Sequence, residues 1–153
     1  MKKAFWIGII ILLVSACSTK TPQNRPAEAK PSELKASIEF MNGRTYDFGV
    51  YGRREPVSCD FVFRNNGSIP LVIDHVDVSC GCTKVEYPKH PIDTGAIDTI
   101  HVTYDGNGFK SGYFFKNCYI YSNADSTYIL RIQGTYSKTL EEEWLKEHPE
   151  KKI

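Results

Sequence analysis

The sequence predicts an all-β fold: an immunoglobulin-like antiparallel β-sandwich of about seven strands, followed by a short C-terminal helix. Three observations lead to this prediction. Apolar and polar residues alternate in short runs between residues 36 and 137, turn residues separate these runs, and this length is enough for one hydrophobic core. We therefore expect one sandwich domain at residues 36–137 and a short helix and tail at residues 138–153.

Three of the predicted strands show the alternation most clearly. In each strand one set of alternate residues is apolar and should point into the core, while the other set should point to solvent. Turn sequences rich in Asn, Asp, Gly and Pro separate the strands at 65–70, 91–95, 105–108 and 122–126. The expected core residues of the three strands are Cys59, Phe61 and Phe63; Ile100, Val102 and Tyr104; and Leu130, Ile132 and Gly134.

A fourth strand-like run, at residues 70–80, changes phase along its length. Its apolar residues before Asp74 share one parity, whereas those after His75 share the other. A bulge at Asp74 and His75 would return both sets to the core, so we expect His75 to be a bend residue rather than a ligand. The two sets are Leu71 with Ile73, and Val76 with Val78.

The last segment has the signals of a short helix. Thr139 and Glu142 have the spacing of a capping box, and Leu140 and Trp144 fall on one helical face. We expect this helix to pack against one end of the sandwich.

The first residues have the order of an export signal. Lys2 and Lys3 precede an apolar run that is too short to cross a bilayer, and small residues then lead to Cys17. The residues just before Cys17 resemble the bacterial lipobox, where a signal peptidase cuts before a cysteine that carries a diacylglycerol. The resemblance implies a signal peptide at residues 1–16 and lipidation at Cys17. An ordinary secretory signal is the alternative.

The segment at residues 17–35 predicts a disordered tether behind the lipidated cysteine, because it is polar, contains several prolines and has little apolar surface to bury. Ser18, rather than an aspartate, follows the anchor cysteine, which by analogy with the familiar sorting rule favours the outer membrane. We therefore expect a cell-envelope protein, attached to the membrane through Cys17 and facing the periplasm.

The charge of the chain argues against nucleic acid as a partner. The sequence has 19 basic and 18 acidic residues, and removal of the signal peptide takes away Lys2 and Lys3. The mature chain is therefore close to neutral, with no basic field for a nucleic acid.

The chain carries an ordered set of residues between positions 57 and 136. The set is Phe61, Phe63, Asn65, Gly67, Pro70, Leu71, Ile73, Ser79, Cys80, Gly81, Cys82, Thr83, Pro91, Ile92, Gly95, Ile100, Val102, Tyr104, Gly112, Ser122, Asn123, Leu130, Ile132 and Gly134. It resembles the bacterial family called domain of unknown function 1573, and the Cys-Gly-Cys-Thr corner is its most specific element. The resemblance implies a sandwich of the Hydin and major-sperm-protein type in an exported or lipid-anchored protein. It implies no established reaction.

Four cysteines besides Cys17 would lie in an oxidising compartment, where three disulfide pairings are available. Cys59 and Cys118 share the parity of core residues and lie on the second and sixth predicted strands, the pair that an immunoglobulin domain joins. We therefore predict a disulfide between Cys59 and Cys118. Two buried free thiols that act as small apolar side chains are the alternative.

Cys80 and Cys82 allow three interpretations. They pack or bridge at a corner of the fold as a structural signature, which is our prediction. Alternatively, a bend at Gly81 lets the two sulfurs meet in a small ring that is readily reduced, giving a redox site. In the third interpretation the two thiolates bind a soft metal such as Cu(I), or they form part of a zinc site that also needs His75, His90 or His101.

The sequence contains none of the familiar hydrolase, metalloprotease, phosphate-binding or dinucleotide-binding motifs. We therefore predict no enzymatic activity, no catalytic residue, no metal and no cofactor.

The remaining signal is the predicted sixth strand, which is aromatic on both parities. Its outward set should present a row of rings, Tyr113, Phe115, Tyr119 and Tyr121, that marks a binding face.

Two alternatives remain open for this row and for the function. The loops at residues 84–95 or the C-terminal helix could cover the row as a second small core. If the row is exposed, the domain is a non-catalytic binding or scaffold module for an envelope protein or a glycan. The rival function is a thiol redox or copper- and zinc-handling protein that works through Cys80 and Cys82.

Overall fold

The structure is a computed structural model that describes residues 34–53, 55–106 and 110–152. This part of the chain forms strands β1 (Ile38–Phe40), β2 (Thr45–Tyr51), β3 (Val57–Asn65), β4 (Ile73–Val78), β5 (Thr83–Glu86), β6 (Ile97–Tyr104), β7 (Gly112–Ser122) and β8 (Tyr128–Tyr136). Helix α1 (Lys138–Glu147) and a 3-10 turn (Pro149–Lys151) follow. The predicted fold class is confirmed. The predicted signal peptide, Cys17 and nearly all of the predicted tether lie outside the described residues.

The strands form two four-stranded sheets, β1-β3-β6-β5 and β2-β8-β7-β4. Because the N-terminal segment contributes one short strand to each sheet, eight strands are described rather than about seven. A turn that contains Gly43, at φ 80°, separates β1 in one sheet from β2 in the other. The crossing also places β2 parallel to β8, whereas the other pairs among the described strands are antiparallel. The expectation of a wholly antiparallel fold is therefore wrong at this edge.

The inward residues of the two sheets form one hydrophobic core, as the alternation predicts. In the first sheet Phe61 lies opposite Ile100, and both side chains are buried. In the second sheet Ile120, Leu130 and Ile132 are inaccessible to solvent. Full burial of each such side chain stabilises the fold by roughly 1.5–3 kcal/mol.

The predicted bulge in the fourth strand is confirmed. The register of β4 against β7 shifts between Ile73, which lies opposite Ser122, and His75, which lies opposite Tyr121. Ile73 is buried before the bulge and Val76 is partly buried after it. Val78 was expected in the core but is 36% exposed, because it is the last residue of β4 before the corner that leads to the other sheet.

Helix α1 begins directly after β8 and packs against the end of β2. Its N-cap is Ser137, whose hydroxyl accepts a hydrogen bond from the backbone N–H of Leu140 at 3.3 Å. The expected capping box at Thr139 is therefore wrong by two residues. Gly52 is buried under the first turn, where a Cβ on Gly52 would lie 2.7 Å from the Cβ of Leu140. The absent side chain thus lets the helix approach the sheet closely. No helix among the described residues is long and apolar enough to cross a membrane.

Candidate functional site

The outward side of β7 carries the predicted row of aromatic side chains, which we call the outer row: Tyr113, Phe115, Tyr119 and Tyr121. Strand β7 lies between β8 and β4, and its other parity points into the core, where Cys118 and Ile120 are inaccessible to solvent. The exposed fractions of Tyr113, Phe115 and Tyr121 are 62%, 52% and 36%, and Tyr119 is half-buried. This exposure argues against the alternative in which the loops at residues 84–95 or helix α1 bury the row.

Neighbouring strands widen the outer row on both sides. The β7–β8 register places Phe115 opposite Gln133 and Tyr119 opposite the exposed Ile129. On the other side, His75 of β4 lies opposite Tyr121, and the two rings stack with their centroids 4.4 Å apart and their planes 10° apart. The result is a sheet face on which apolar and aromatic side chains from three strands share one accessible surface.

A chain of hydrogen bonds fixes the polar groups at one end of this face. The hydroxyl of Tyr113 donates to Oε1 of Gln133 at 3.0 Å, and Nε2 of Gln133 donates to Oδ2 of Asp47 at 2.9 Å. The hydrogen bond from Gln133, and then that from the backbone N–H of Gly49, lowers the pKa of Asp47 below its ordinary value. The carboxylate on β2 therefore stays charged at neutral pH and orients the amide and the ring beside it.

Arg131 and Asn117 occupy the middle of the face. The Nε–H of Arg131 donates to Oδ1 of Asn117 at 3.2 Å, and its guanidinium lies 5.2 Å from the ring centroid of Phe115. The amide of Asn117 in turn donates to the hydroxyl of Tyr119 at 3.5 Å. A surface cavity of about 320 Å³ adjoins this group and is lined by Arg44, Thr45, Thr127, Ile129 and Arg131.

The sequence predicted the rings of β7 but not the groups that hold them. Arg131 and Gln133 share the outward parity of Ile129 in the sequence of β8. This parity could have predicted that both side chains lie on the same face as the outer row. Asp47 and His75 come from strands far away in the chain. Their contribution depends on strand register, which the alternation in a single strand does not reveal.

Cys80 and Cys82 form a disulfide in the corner between β4 and β5, with their Cα atoms 5.2 Å apart. Both residues are half-buried, and the sulfur of Cys80 lies 3.4 Å from the hydroxyl of Thr83. The disulfide agrees with the redox interpretation, which requires the two sulfurs to be bridged, and with the structural interpretation, which allows them to be.

The structure does not assemble the metal site considered for these cysteines. Among the described residues, no three side chains of His, Cys, Asp or Glu are grouped as metal ligands. His90 lies 3.4 Å from a carboxylate oxygen of Asp98, and His101 lies 2.6 Å from one of Asp60. The Cys80, Cys82 and His90 set is thus not brought together, because the sulfurs are bonded to each other and the histidine pairs with an aspartate.

Cys59 and Cys118 are free, buried thiols, so the predicted disulfide between them is not formed. Counting from the first strand, they lie on the third and seventh strands rather than the second and sixth, because the N-terminal segment forms two strands. Burial raises the pKa of Cys59 to about 12, with smaller contributions from Asp60 and Cys118, and raises that of Cys118 to about 11. Both thiols stay protonated at neutral pH and act as small apolar side chains, as the alternative interpretation supposed.

The raised pKa values of the two thiols make the stability of the fold depend on pH. In the unfolded chain a thiol titrates near its ordinary value of 9.0. Because the folded state binds the protons more tightly, the two groups favour folding below about pH 9, and this contribution is lost as the pH rises toward 11 and 12.

Comparison with solved structures supports the fold and no specific activity. A protein of unknown function from Porphyromonas gingivalis W83 superposes with a TM-score of 0.59 at 14% identity, over 72% of this chain and 51% of that chain. The ASH/PapD-like domain 7 of human CEP192 gives a TM-score of 0.54 at 9% identity, over 89% of this chain and 99% of that domain. At such identities the likeness shows a shared β-sandwich fold and nothing about ligands.

The chain spans about half the length of the Porphyromonas protein. Comparison with curated proteins gave no significant match. A sequence model of the family described as Protein of unknown function (DUF1573) matches residues 38–136, which run from the first residue of β1 to the last residue of β8. The chain therefore belongs to the DUF1573 family.

Proposed function

We propose that this protein is a lipid-anchored binding module of the bacterial cell envelope, attached through Cys17 on the periplasmic side of the outer membrane. The ligand we propose is a neutral glycan that lies across the outer row. The single observation that carries the proposal is the exposure of aromatic rings along β7, braced by hydrogen-bonded side chains from β8 and β2. The attachment rests on the export signal and the lipobox-like residues before Cys17.

The chemistry of the face supports binding without catalysis. Its exposed rings offer apolar surface, while its amides, guanidinium and hydroxyls offer hydrogen bonds. Asn117, Gln133 and Arg131 are held by one another and by their neighbours, so little side-chain entropy is lost when a ligand binds. Preordered stacking and hydrogen-bonding groups on the accessible face of a sheet are suited to recognition.

A glycan suits this face better than a protein does. The centre of a protein interface is depleted of Asp, Glu and Lys, because their desolvation is costly, whereas Arg is enriched there. Here the carboxylate of Asp47 is hydrogen-bonded to Gln133 at one end of the face, and Arg131 lies on β8 beside Phe115. A narrow, hydroxyl-rich chain can stack on the rings and exchange hydrogen bonds with these groups while part of their hydration remains. The two charges are of opposite sign, which favours a neutral ligand.

The anchor is tested by replacing Cys17 with serine. We expect the wild-type protein to incorporate a labelled fatty acid and to partition into detergent, because acyl chains contribute about 0.8 kcal/mol per buried methylene. The Cys17→Ser variant should lose both properties. Cys59→Ser is the matched control, because that thiol is buried in the core and should leave lipidation unchanged. Fatty-acid labelling of Cys17→Ser at the wild-type level would refute the anchor.

The binding face is tested by nuclear magnetic resonance titration of residues 34–153 with neutral tetrasaccharides of glucose, xylose or N-acetylglucosamine. We expect at least one of these sugars to shift the ring signals of Tyr113, Phe115 and Tyr121 and the backbone amides of β7 and β8. The physical reason is that a stacked sugar changes the ring-current environment of the outer row and displaces its surface water.

Two variants provide the controls for this titration. Phe115→Ser removes an exposed ring from the outer row, whereas Lys84→Ala changes an exposed residue on the opposite sheet. Only the first should weaken the sugar-induced shifts. If no sugar causes shifts but photo-crosslinking at residue 113 captures one envelope protein, the ligand is a protein and the glycan assignment is wrong. If neither occurs, the binding function itself is refuted.

A further inference from the structure

We infer that the Cys80–Cys82 disulfide is a thiol–disulfide exchange site for a dithiol of a partner protein, in which Cys82 is the sulfur attacked and Cys80 leaves as the thiolate. The inference goes beyond the proposed glycan-binding function and uses a different part of the molecule. It rests on the position of the disulfide, on the bonds that hold its corner, and on the hydroxyl beside one of its two sulfurs.

Both cysteines of the disulfide are partly exposed to solvent, although Cys82 also packs against the hydrophobic core. It lies in the corner where the chain passes from β4 in one sheet to β5 in the other. Cys80 and Cys82 are half-buried, and Gly81 between them is exposed. A Cβ added to Gly81 would have no heavy atom within 4 Å outside its immediate neighbours, so open space lies beside the residue that joins the two cysteines. Access is the first requirement for attack by an external thiolate.

Hydrogen bonds also hold the corner on both sides of the disulfide. The backbone N–H of Ser79 donates to the carbonyl of Asn117 at 3.0 Å, and the hydroxyl of Ser79 accepts from the N–H of Asn117 at 3.1 Å. The N–H of Asp105 donates to the carbonyl of Cys82 at 3.0 Å. A disulfide between residues only two apart also closes a very short loop, which is where a cross-link removes the least chain entropy. The bond can therefore open while the fold persists.

The two sulfurs have different surroundings. The hydroxyl of Thr83 lies 3.4 Å from the sulfur of Cys80, and Thr83 is a buried residue. When the disulfide breaks, this hydroxyl can donate a hydrogen bond to the Cys80 thiolate, which stabilises the charged form. A more stable thiolate is a better leaving group in thiol–disulfide exchange. This contact therefore directs the incoming thiolate to Cys82.

The exchange is balanced without any other reactant. One thiolate of the partner attacks the sulfur of Cys82, a mixed disulfide forms, and the electron pair of the broken bond goes to the sulfur of Cys80. The second thiolate of the partner then attacks the partner sulfur that is bonded to Cys82, which forms the partner's disulfide and releases the Cys82 thiolate. The partner dithiol is oxidised to a disulfide, Cys80 and Cys82 are reduced to thiols, and the two protons pass from the partner to these two cysteines.

The other two cysteines of the described chain do not compete in this chemistry. Cys59 and Cys118 are buried in the core, and their raised pKa values keep them as unreactive thiols. They serve as internal controls, because alkylation of the folded protein should be confined to the corner.

The first experiment equilibrates the folded protein in glutathione redox buffers, traps thiols by alkylation and counts them by mass spectrometry. We expect Cys80 and Cys82 to pass between disulfide and dithiol within the range of these buffers, while Cys59 and Cys118 stay unlabelled and the circular dichroism of the sheet is retained. A disulfide that resists excess reduced glutathione until the protein unfolds would overturn the inference and would leave the bond a structural element.

The second experiment tests the direction of attack. Cys82→Ser leaves Cys80 as a single thiol, and Cys80→Ser leaves Cys82; their pKa values follow from alkylation rates measured across pH. We expect the lower pKa at Cys80, and we expect Thr83→Val to raise it while Thr83→Ser restores it. Equal pKa values for the two single thiols would refute the assigned direction. The comparison of Cys80 with Cys82 needs no change at the buried Thr83, so it stands even if Thr83→Val does not fold.

Discussion

Replacing Asn65 with alanine is expected to destabilise the protein by about 3 kcal/mol or more, because one buried side chain satisfies three backbone groups. Its amide nitrogen donates to the carbonyl oxygens of Ile69 and Ile92, each at 2.9 Å. Its amide oxygen accepts from the N–H of Gly67 at 3.0 Å. Asn65 is inaccessible to solvent, so the carbonyl of Ile69 and the N–H of Gly67 would lose this partner, at a cost of roughly 1–3 kcal/mol for each unsatisfied group. The carbonyl of Ile92 would lose one of two hydrogen bonds, because it also accepts from the N–H of Leu71 at 2.9 Å.

Asn66→Ala is the matched control for this substitution, because Asn66 is exposed and its hydrogen bond to Ser37 joins backbone atoms only. Urea unfolding followed by circular dichroism would measure both variants. We expect a change within about 0.5 kcal/mol for Asn66→Ala. Similar small losses for the two variants would contradict the assignment of Asn65 as the clamp between the turn at residues 65–70 and the loop that contains Ile92.

Phe63→Ala is expected to cost about 3–5 kcal/mol, enough to leave much of a typical domain unfolded at room temperature. The Phe63 ring is inaccessible to solvent and lies 6.2 Å from that of Phe40, measured between ring centroids. Its removal leaves a cavity in the single core that both sheets share. The midpoint of urea unfolding should fall with little change in slope, which would identify a loss of stability in an otherwise unchanged fold.

Phe115→Ala is the matched comparison for Phe63→Ala, since the same side chain is removed from the outward side of β7, where it is 52% exposed. We expect a loss of less than about 1 kcal/mol, mostly from the contact of the ring with Arg131. A small effect of Phe63→Ala would show that the two sheets do not share a packed interior.

The sequence predicted the features of the fold that depend on local alternation. Strand β3 reveals its buried side by itself, because every second side chain meets the same environment. The bulge in β4 was predictable for the same reason. Ile73 and Val76 differ in parity, so the strand needs one extra residue between them if both are to face the core.

The features that were missed depend on contacts between distant parts of the chain. Nothing within residues 38–51 shows that this segment divides between two sheets and then runs parallel to β8. The helix start was misplaced because Ser137 is fixed by β2, through a hydrogen bond from its N–H to the carbonyl of Tyr51 at 2.8 Å. Thr139 has a comparable local sequence signal without that tertiary contact.

The cysteines show that the alternation of a strand predicts burial but not disulfide bonding. Parity predicted that Cys59 and Cys118 are buried, and they are, but burial alone does not decide whether two thiols are bonded. The analogy with immunoglobulin domains supplied the pairing, and the analogy was wrong. In the Cys80–Gly81–Cys82 corner, the spacing predicted that the sulfurs could meet, and they do so. The nearby hydroxyl of Thr83 has a role that the spacing did not indicate.

The candidate binding face also has a part that the sequence predicted and a part that it did not. The rings of the outer row were predicted from β7 alone, and their exposure agrees with the outward assignment. Their supporting groups were not predicted, because Asp47, His75 and Arg131 come from three other strands and meet β7 only through the register of the sheet. The alternation within β7 thus identified the aromatic surface but not the polar and charged side chains of other strands that lie beside it.

The central claim is that the outer row is an accessible ligand-binding surface and not a part of the core. The most direct test is the free energy of unfolding of the Tyr113→Ser/Phe115→Ser double variant, measured with and without the sugar that shifts the wild-type signals most. Without sugar, we expect the variant to lie within about 1 kcal/mol of wild type. Saturating sugar should stabilise wild type, because it binds the folded state, and should leave the variant unchanged. A variant that loses as much stability as Phe63→Ala, or that gains as much from the sugar as wild type does, would contradict the claim.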